Sequence, residues 1–179
     1  MLTDVNCSPM ILRKLTVLVV LTIATISISL ADDTWVVRED GVGPVKVGMN
    51  LSQLNAVLHE RFSMPYSKED QGCFYVKPAK HAHIAFMIED GRLVRIDVDK
   101  AGISTAEGVQ VGDSEARALQ VYAPRLKVES SKYGGPGGHY LTMRSVNGRY
   151  GIRFETEKGK MRTFYAGGFD AIQYVEGCL

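Results

Sequence analysis

The sequence is poor in the residues from which common catalytic and metal centres are built. It has three cysteines and four histidines in 179 residues, and neither a Gly-x-Ser-x-Gly elbow nor a His-Glu-x-x-His pair occurs. These absences remove the usual arrangements of a nucleophile with its base. We therefore predict a protein that is not an enzyme and that binds no cofactor. A hydrolase that uses His139 and a carboxylate is the third-ranked hypothesis.

The chain also lacks an excess of charge of either sign. Its 21 Lys and Arg residues and 20 Asp and Glu residues give a formal net charge of +1. A balanced chain has no global field that attracts nucleic acid or an acidic membrane surface. We predict no nucleic-acid partner, and membrane contact only through the N-terminal segment.

Long apolar runs are absent except for one near the N-terminus. Arg13 and Lys14 precede the uncharged residues 15–30, and Ser29 and Ala31 stand at the two positions that a signal peptidase inspects. We predict a signal peptide over residues 1–31 and a periplasmic or secreted protein. An uncleaved anchor is the alternative, because the run is only slightly shorter than the roughly 18 residues that suggest a spanning helix.

Two cysteines follow the predicted signal peptide, Cys73 and Cys178. An even number of cysteines in an exported chain usually indicates a bridge. We predict a Cys73–Cys178 disulfide, which attaches the C-terminus to the first half of the chain. Two reduced, buried cysteines are the alternative.

A duplicated segment is the most informative feature that the sequence does contain. Residues Val45-Lys46-Val47-Gly48 and Val109-Gln110-Val111-Gly112 each run into a helix cap, an amphipathic stretch and paired strands. A unit of this length needs a neighbour to bury its apolar side. We predict two tandem repeats, over residues 32–103 and 104–179.

The predicted fold class is α+β, with two tandem helix-plus-antiparallel-sheet repeats that form one curved sheet with the helices on one side. Asp90-Gly91, Asn147-Gly148 and Lys158-Gly159 predict two-residue hairpin loops, from which the strand register is counted. The count assigns a set of side chains to the sheet face away from the helices, here called the open face: Ile84, Phe86, Ile88, Leu93, Arg95, Asp97, Thr142, Arg144, Arg153, Glu155, Arg162 and Phe164. It assigns others to the helix side, including Ala85, Met87, Val94, Ile96, Val98 and Tyr165.

The open face is unusually apolar in the first repeat. A patch of this kind is either covered by the sister repeat or reserved for a partner, and both readings stay open. Aromatic and Arg side chains dominate the energetics of protein interfaces. We therefore predict a partner-binding surface made of Phe86, Arg95, Arg144, Arg153, Glu155, Arg162 and Phe164. A cross-strand ion pair between Glu155 and Arg162 is the structural alternative.

In its pattern of a glycine-ended strand, a helix and an antiparallel sheet, the chain resembles the β-lactamase inhibitory protein family and small outer-membrane assembly lipoproteins of the SmpA/OmlA type. The likeness lies in residues Val47 to Leu54 and in their counterpart at Gly112-Asp113-Ser114. The resemblance implies a concave sheet surface that grips another protein. It implies no particular target, because the residues with which the inhibitors contact their enzymes have no counterparts here.

The loop Tyr133 to Tyr140 is rich in glycine and flanked by aromatic side chains. Glycines permit close backbone approach, and tyrosines stack on sugars or peptides. Tyr133, His139 and Tyr140 therefore form the alternative site, in a small-ligand or carbohydrate-binding module. A flexible crossover is the structural explanation of the same loop.

Histidines are few, but His81 and His83 lie on one side of an extended segment. With His139 they would supply the three nitrogens of a zinc site. Exposed histidines in a loop are the simpler explanation, and no metal is included in the prediction.

Overall fold

The structure is a computed structural model that describes residues 35–178. The predicted signal peptide, over residues 1–31, lies outside the described residues. No helix among the described residues is both long enough and apolar enough to span a membrane.

The described chain begins with a small three-stranded antiparallel sheet. Its strands are β1 (Val37–Arg38), β2 (Gly41–Val42) and β3 (Val45–Lys46). The three valines of these strands are at most 1% exposed and belong to the main core. The duplicated Val-x-Val segment therefore contributes apolar side chains to the core.

Two short helices follow the two copies of the duplicated segment. Helix α1 (Leu51–Leu58) begins at Asn50, whose side chain accepts a hydrogen bond from the Gln53 backbone, while the Gln53 side chain bonds back to Asn50. Helix α2 (Glu115–Tyr122) begins at Ser114, whose hydroxyl accepts from the backbone of the third helical residue. Both predicted caps are confirmed.

The remaining strands form one antiparallel sheet of seven strands. Their bounds are β4 Cys73–Val76, β5 Ile84–Glu89, β6 Arg92–Val98, β7 Leu126–Ser130, β8 His139–Arg144, β9 Tyr150–Glu157 and β10 Lys160–Gly168. The spatial order is β4-β5-β6-β10-β9-β8-β7. The last strands of the two predicted repeats, β6 and β10, therefore pair at the centre, and the α+β class is confirmed.

Strand register follows the turn dipeptides only in part. In β8 and β9, Thr142 lies opposite Arg153 and Arg144 opposite Gly151, as predicted. The predicted two-residue loop at Asn147-Gly148 is wrong, because Ser145 bonds to Tyr150 across the four residues 146–149, a loop length that leaves the register unchanged. In the β5–β6 and β9–β10 hairpins the turns have two residues, as predicted, but a one-residue irregularity follows each turn, at Val94 and at Arg162. Because the side-chain period of a strand is two, one extra residue moves all later side chains to the other face.

These two bulges correct several predicted positions. Phe86 and Phe164 are both 0% exposed in the core, so the prediction that they lie on the open face is wrong. Ile84, Ile88 and Leu93 are core residues as well. Side chains that were predicted to face the helices lie on the open face instead, namely Ala85, Met87 and Tyr165.

The bulges occupy equivalent positions in the two halves of the chain. Leu93, the residue before the first bulge, exchanges backbone hydrogen bonds with Gly48 and Met49. Met161, the residue before the second bulge, exchanges backbone hydrogen bonds with Gly112 and Asp113. Each hairpin therefore bonds to the loop that enters its own helix, so the same long-range contact lies beside both bulges.

The core lies between the helices and one face of the large sheet. Leu54 of α1 and Tyr122 of α2 are buried with the sheet side chains of the first and second halves. The Phe154 ring lies 5.3 Å from Tyr122 and 5.7 Å from Phe164. Aromatic contacts at these distances add to the free energy gained by apolar burial.

A disulfide joins Cys73 and Cys178, with a Cα–Cα distance of 5.3 Å across a sequence separation of 105 residues. The predicted pairing is confirmed. Such a bond fits a protein of an oxidising compartment.

We expect replacement of both cysteines, Cys73→Ser with Cys178→Ser, to lower the free energy of unfolding by about 4–5 kcal/mol. The physical reason is the chain entropy that the unfolded state regains when a loop of this length is opened. Chemical denaturation of oxidised wild type and the double variant measures the difference. A loss below about 1 kcal/mol would contradict the expected contribution.

Candidate binding cleft on the open face of the sheet

The open face carries two rows of side chains that run across the strands. The first row, here called the covered row, consists of Met87, Arg95, Gly167, Gly151 and Arg144. The second, here called the open row, consists of Ala85, Asp97, Tyr165, Arg153 and Thr142. The two rows have different surroundings, and this difference defines the candidate site.

Residues 169–178, here called the C-terminal segment, turn back over the covered row. The Gly151 position shows how closely they pack, because a Cβ atom there would lie 2.8 Å from Ile172 Cδ1 and 3.2 Å from Phe169 Cδ2. Met87 is 1% exposed on this face of the sheet. The prediction of an open face that is free over its full width is therefore wrong along the covered row.

Arg95 holds the C-terminal segment in place. Its Nη1 donates to the carbonyl oxygens of Ala171 at 3.1 Å and Tyr174 at 2.7 Å. Its Nε and Nη2 donate to the two Asp97 carboxylate oxygens at 2.7 and 2.9 Å, and Nη2 also donates to the Tyr75 hydroxyl at 2.7 Å. Every N–H of the guanidinium thus has an acceptor. With 2% exposure, Arg95 is a structural residue here and is not accessible to a partner, contrary to the prediction.

The pKa values of Asp97 and Tyr75, which both contact Arg95, are shifted by their own burial and by their neighbours. Burial raises the pKa of the Asp97 carboxyl, while the hydrogen bonds from Arg95 act in the opposite direction. Burial and the Asp97 charge raise the pKa of Tyr75 to about 12. Tyr75 is therefore protonated at neutral pH and donates its hydroxyl hydrogen to Asp97 Oδ2 at 3.1 Å.

Beside the covered row, two adjoining cavities form a cleft, here called the open-face cleft. One has a volume of about 510 Å³ and the other of about 350 Å³, and Asp99, Thr163 and Tyr165 line both. The larger also contacts Tyr133, Glu155, Arg162 and Val175. The smaller also contacts Tyr75, Lys77, Ala82, Ile84, Ala85 and Asp97.

The predicted partner-binding residues of the second repeat have separate roles. Glu155 lines the cleft and accepts a hydrogen bond from the Tyr165 hydroxyl at 3.0 Å. Arg162 also lines the cleft, but its carboxylate partner is Glu157, at 3.8 Å, so the suggested Glu155–Arg162 pair does not form. Arg144 lies in the covered row over the Phe169 ring, at 4.1 Å.

Arg153 lies in the open row, as predicted. Its guanidinium carbon is 3.9 Å from the centre of the Tyr140 ring, and the residue is 8% exposed. Burial lowers the pKa of the Arg153 guanidinium, because the charged form loses contact with water.

The three residues of the predicted ligand loop are not brought together. Tyr133 lines the cleft, and its hydroxyl hydrogen-bonds to Glu176 of the C-terminal segment. Tyr140 is 4% exposed on the open face. His139 lies on the opposite face of the sheet, where its Nδ1 is 3.0 Å from both carboxylate oxygens of Glu115.

Glycines in this loop permit the backbone to fold on itself. A Cβ atom at Gly138 would lie 2.6 Å from the Cα of Gly134. The Ser131 backbone N–H donates a hydrogen bond of 2.9 Å to the Gly138 carbonyl oxygen across the base of the loop. The observed close approach is therefore between two parts of the chain.

Glu115, at the start of α2, links His139 to Thr156. The Thr156 hydroxyl donates to Glu115 Oε2 at 2.6 Å. Burial alone would raise the pKa of the Glu115 carboxyl, but the hydrogen bonds from Thr156 and His139 outweigh it and hold that pKa below its ordinary value of 4.5. The Glu115 carboxylate thus holds the Nδ1 atom of the His139 imidazole in place.

The structure does not gather the histidines that were considered for zinc. The His81 ring stacks on Trp35 at 3.5 Å, whereas His139 bonds to Glu115. Within residues 35–178, no group of three His, Cys, Asp or Glu side chains is placed to hold a metal ion.

The cleft-lining residues that sequence reasoning missed include Tyr75, Asp99, Thr163 and Tyr165. Tyr165 was assigned to the wrong face, because the bulge at Arg162 cannot be counted from the turn. The consecutive aromatic residues Phe74 and Tyr75 were a usable signal for Tyr75, because one of two successive strand residues faces away from the core. Comparisons with family models, curated proteins and solved structures gave no match for this chain.

We expect Arg95→Met to lower the free energy of unfolding by about 3–5 kcal/mol, because it leaves Asp97 buried without its counter-ion. We also expect faster amide hydrogen exchange in residues 169–178, since two of their carbonyls lose a donor. Denaturation and exchange mass spectrometry measure both effects. The exposed Arg162→Met change is the matched control and should alter stability by less than about 1 kcal/mol. Equal effects of the two substitutions would reject the structural role of Arg95.

The low pKa of Glu115 predicts a pH dependence of stability. A carboxyl whose pKa is lowered by folding contributes stability above its unfolded pKa, and the contribution is lost as the pH falls through the folded pKa. We therefore expect Glu115→Gln to make the loss of stability between about pH 5 and pH 3 less steep. Unfolding curves at a series of pH values test this. Glu69→Gln controls for the loss of one negative charge, and a slope in Glu115→Gln identical to wild type would refute the assignment.

Proposed function

We propose that this chain is an exported, non-catalytic binding protein that receives a segment of a protein partner in the open-face cleft. The observation that carries the proposal is the cleft itself, in which two adjoining cavities share Asp99, Thr163 and Tyr165 beside a covered part of the sheet. The predicted signal peptide and the Cys73–Cys178 bond support export to the periplasm or secretion.

Exposed tyrosines beside the cleft favour a protein partner. Tyr75, Tyr133 and Tyr174 are 36%, 59% and 40% exposed, respectively. Tyrosine combines a large apolar ring with a polar hydroxyl, and it is enriched at protein interfaces and among the residues that dominate binding energy. The resemblance to the inhibitory-protein family and to the SmpA/OmlA type points to the same class of function, with the cleft as the contact surface.

A small-ligand or carbohydrate-binding module is the second candidate, and the cavity volumes favour it. Cavities of about 300–1,000 Å³ with a few convergent polar groups are typical of small-molecule sites. Asp97, Asp99 and Glu155 supply acceptors for hydroxyl groups, and Tyr165 supplies an aromatic surface. This candidate site is centred on the cleft, because the structure separates His139 from Tyr133 and Tyr140.

We expect Ala85→Trp to reduce partner binding by at least about tenfold, which corresponds to roughly 1.4 kcal/mol. Ala85 lines the smaller cavity, and an indole there would fill the space without removing a charged or hydrogen-bonding side chain. Affinity capture from the exported fraction of the source cells, with quantitative mass spectrometry, measures the change.

Ala101→Trp, on an exposed loop, is the matched control and should capture the same protein as wild type. Undiminished capture by Ala85→Trp would contradict binding in the cleft. Binding on a glycan array that Ala85→Trp abolishes, without any captured protein, would favour the small-ligand candidate.

A further inference from the structure

Arg153 is a nearly buried cation without a hydrogen-bond acceptor. Although it is only 8% exposed, its guanidinium makes no hydrogen bond and no ion pair with any residue from 35 to 178, and its close contact is with the Tyr140 ring, at 3.9 Å. Arg95, on the same face, has an acceptor for every N–H. An arginine with so little of its surface exposed ordinarily has protein acceptors for its donors.

Two hydroxyl groups beside Arg153 also have no partner. Tyr140 Oη and Thr142 Oγ1 are buried and form no hydrogen bond with the described residues. Thr142 lies directly opposite Arg153 in the β8–β9 pair. Tyr140 lies two residues before Thr142 in β8, on the same face of the sheet. Buried polar groups without partners are uncommon, so two of them beside a guanidinium that has no acceptor among residues 35–178 indicate a group that these residues do not supply.

The carboxylates nearest Arg153 have other partners. Glu129 accepts from Lys127 at 2.8 Å, and Glu155 accepts from the Tyr165 hydroxyl at 3.0 Å. Their charges favour the charged form of Arg153, but burial outweighs them and lowers its pKa. The guanidinium therefore has nearby negative charge but no direct counter-ion.

We propose that Arg153, Tyr140 and Thr142 form a binding subsite for an oxyanion group, such as a carboxylate, sulfate or phosphate, on the molecule that occupies the open-face cleft. The planar guanidinium donates two parallel hydrogen bonds to such a group, and the two hydroxyls are further donors. Tyr165, which lines the cleft, lies directly opposite Arg153, so the subsite adjoins the cleft. The inference rests on the proposed function in one respect only, namely that the oxyanion belongs to the molecule that occupies the open-face cleft.

The test uses sodium sulfate and sodium acetate as probes, titrated at constant ionic strength against sodium chloride. NMR follows the Arg153 side-chain Nε–Hε signal and the backbone amides of β8 and β9. We expect saturable shifts with at least one probe in wild type and in Arg61→Met, which changes an exposed arginine outside the cleft, and at least tenfold weaker binding in Arg153→Met. Sulfate alone would identify a tetrahedral oxyanion, and acetate alone a carboxylate. No saturable shift in wild type would overturn the proposal.

Thr142→Val and Tyr140→Phe separate binding from structure. Each removes a buried hydroxyl that has no partner in the free protein, so we expect an unchanged or higher melting temperature together with several-fold weaker probe binding. If Arg153→Met does not fold, these two variants decide the question, and undiminished probe binding in both would overturn the subsite. Failure here, with partner capture still lost in Ala85→Trp, would reject the subsite and leave the proposed function standing.

Discussion

The hydrogen bonds of Arg95 determine how much of the sheet remains accessible. A buried guanidinium requires acceptors for all of its N–H groups, and in this protein they come from Asp97, Tyr75 and two carbonyls of the C-terminal segment. Together with the Cys73–Cys178 bond, they hold that segment over the covered row. The cleft is the part of the open face that lies beside it.

Arg95 and Arg153 show how one residue type serves two purposes on a single face. Tyr165 lies between them, because its ring contacts the Arg95 guanidinium at 4.5 Å and it pairs directly with Arg153 across β9 and β10. Arg95 has acceptors within the chain, whereas no residue from 35 to 178 supplies a hydrogen-bond acceptor to Arg153. The face is thus divided into a part that stabilises the fold and a part with polar groups that have no partner among the described residues.

The two halves of the chain use the same device to shape this face. In each, the loop before the helix bonds to the residue that precedes a bulge, Leu93 in one half and Met161 in the other. The bulge at Arg162 turns Phe164 toward the core, and the bulge at Val94 places Ile96 on the same core face as its strand partner Phe86. The apolar character of the predicted open face is explained in this way, since most of those side chains belong to the core.

The sequence by itself determined the features that depend on neighbouring residues: the helix caps at Asn50 and Ser114, the two-residue turns at Asp90-Gly91 and Lys158-Gly159, and the β8–β9 register. The two cysteines that follow the predicted signal peptide sufficed to predict the disulfide. Only the tertiary structure decided where the bulges fall, because the loops that lie beside them are distant in sequence from the hairpins they contact. The tertiary structure likewise decided the roles of Arg95 and Arg153. The accessibility of these side chains depends on which surface the C-terminal segment covers, and a local sequence pattern does not predict that.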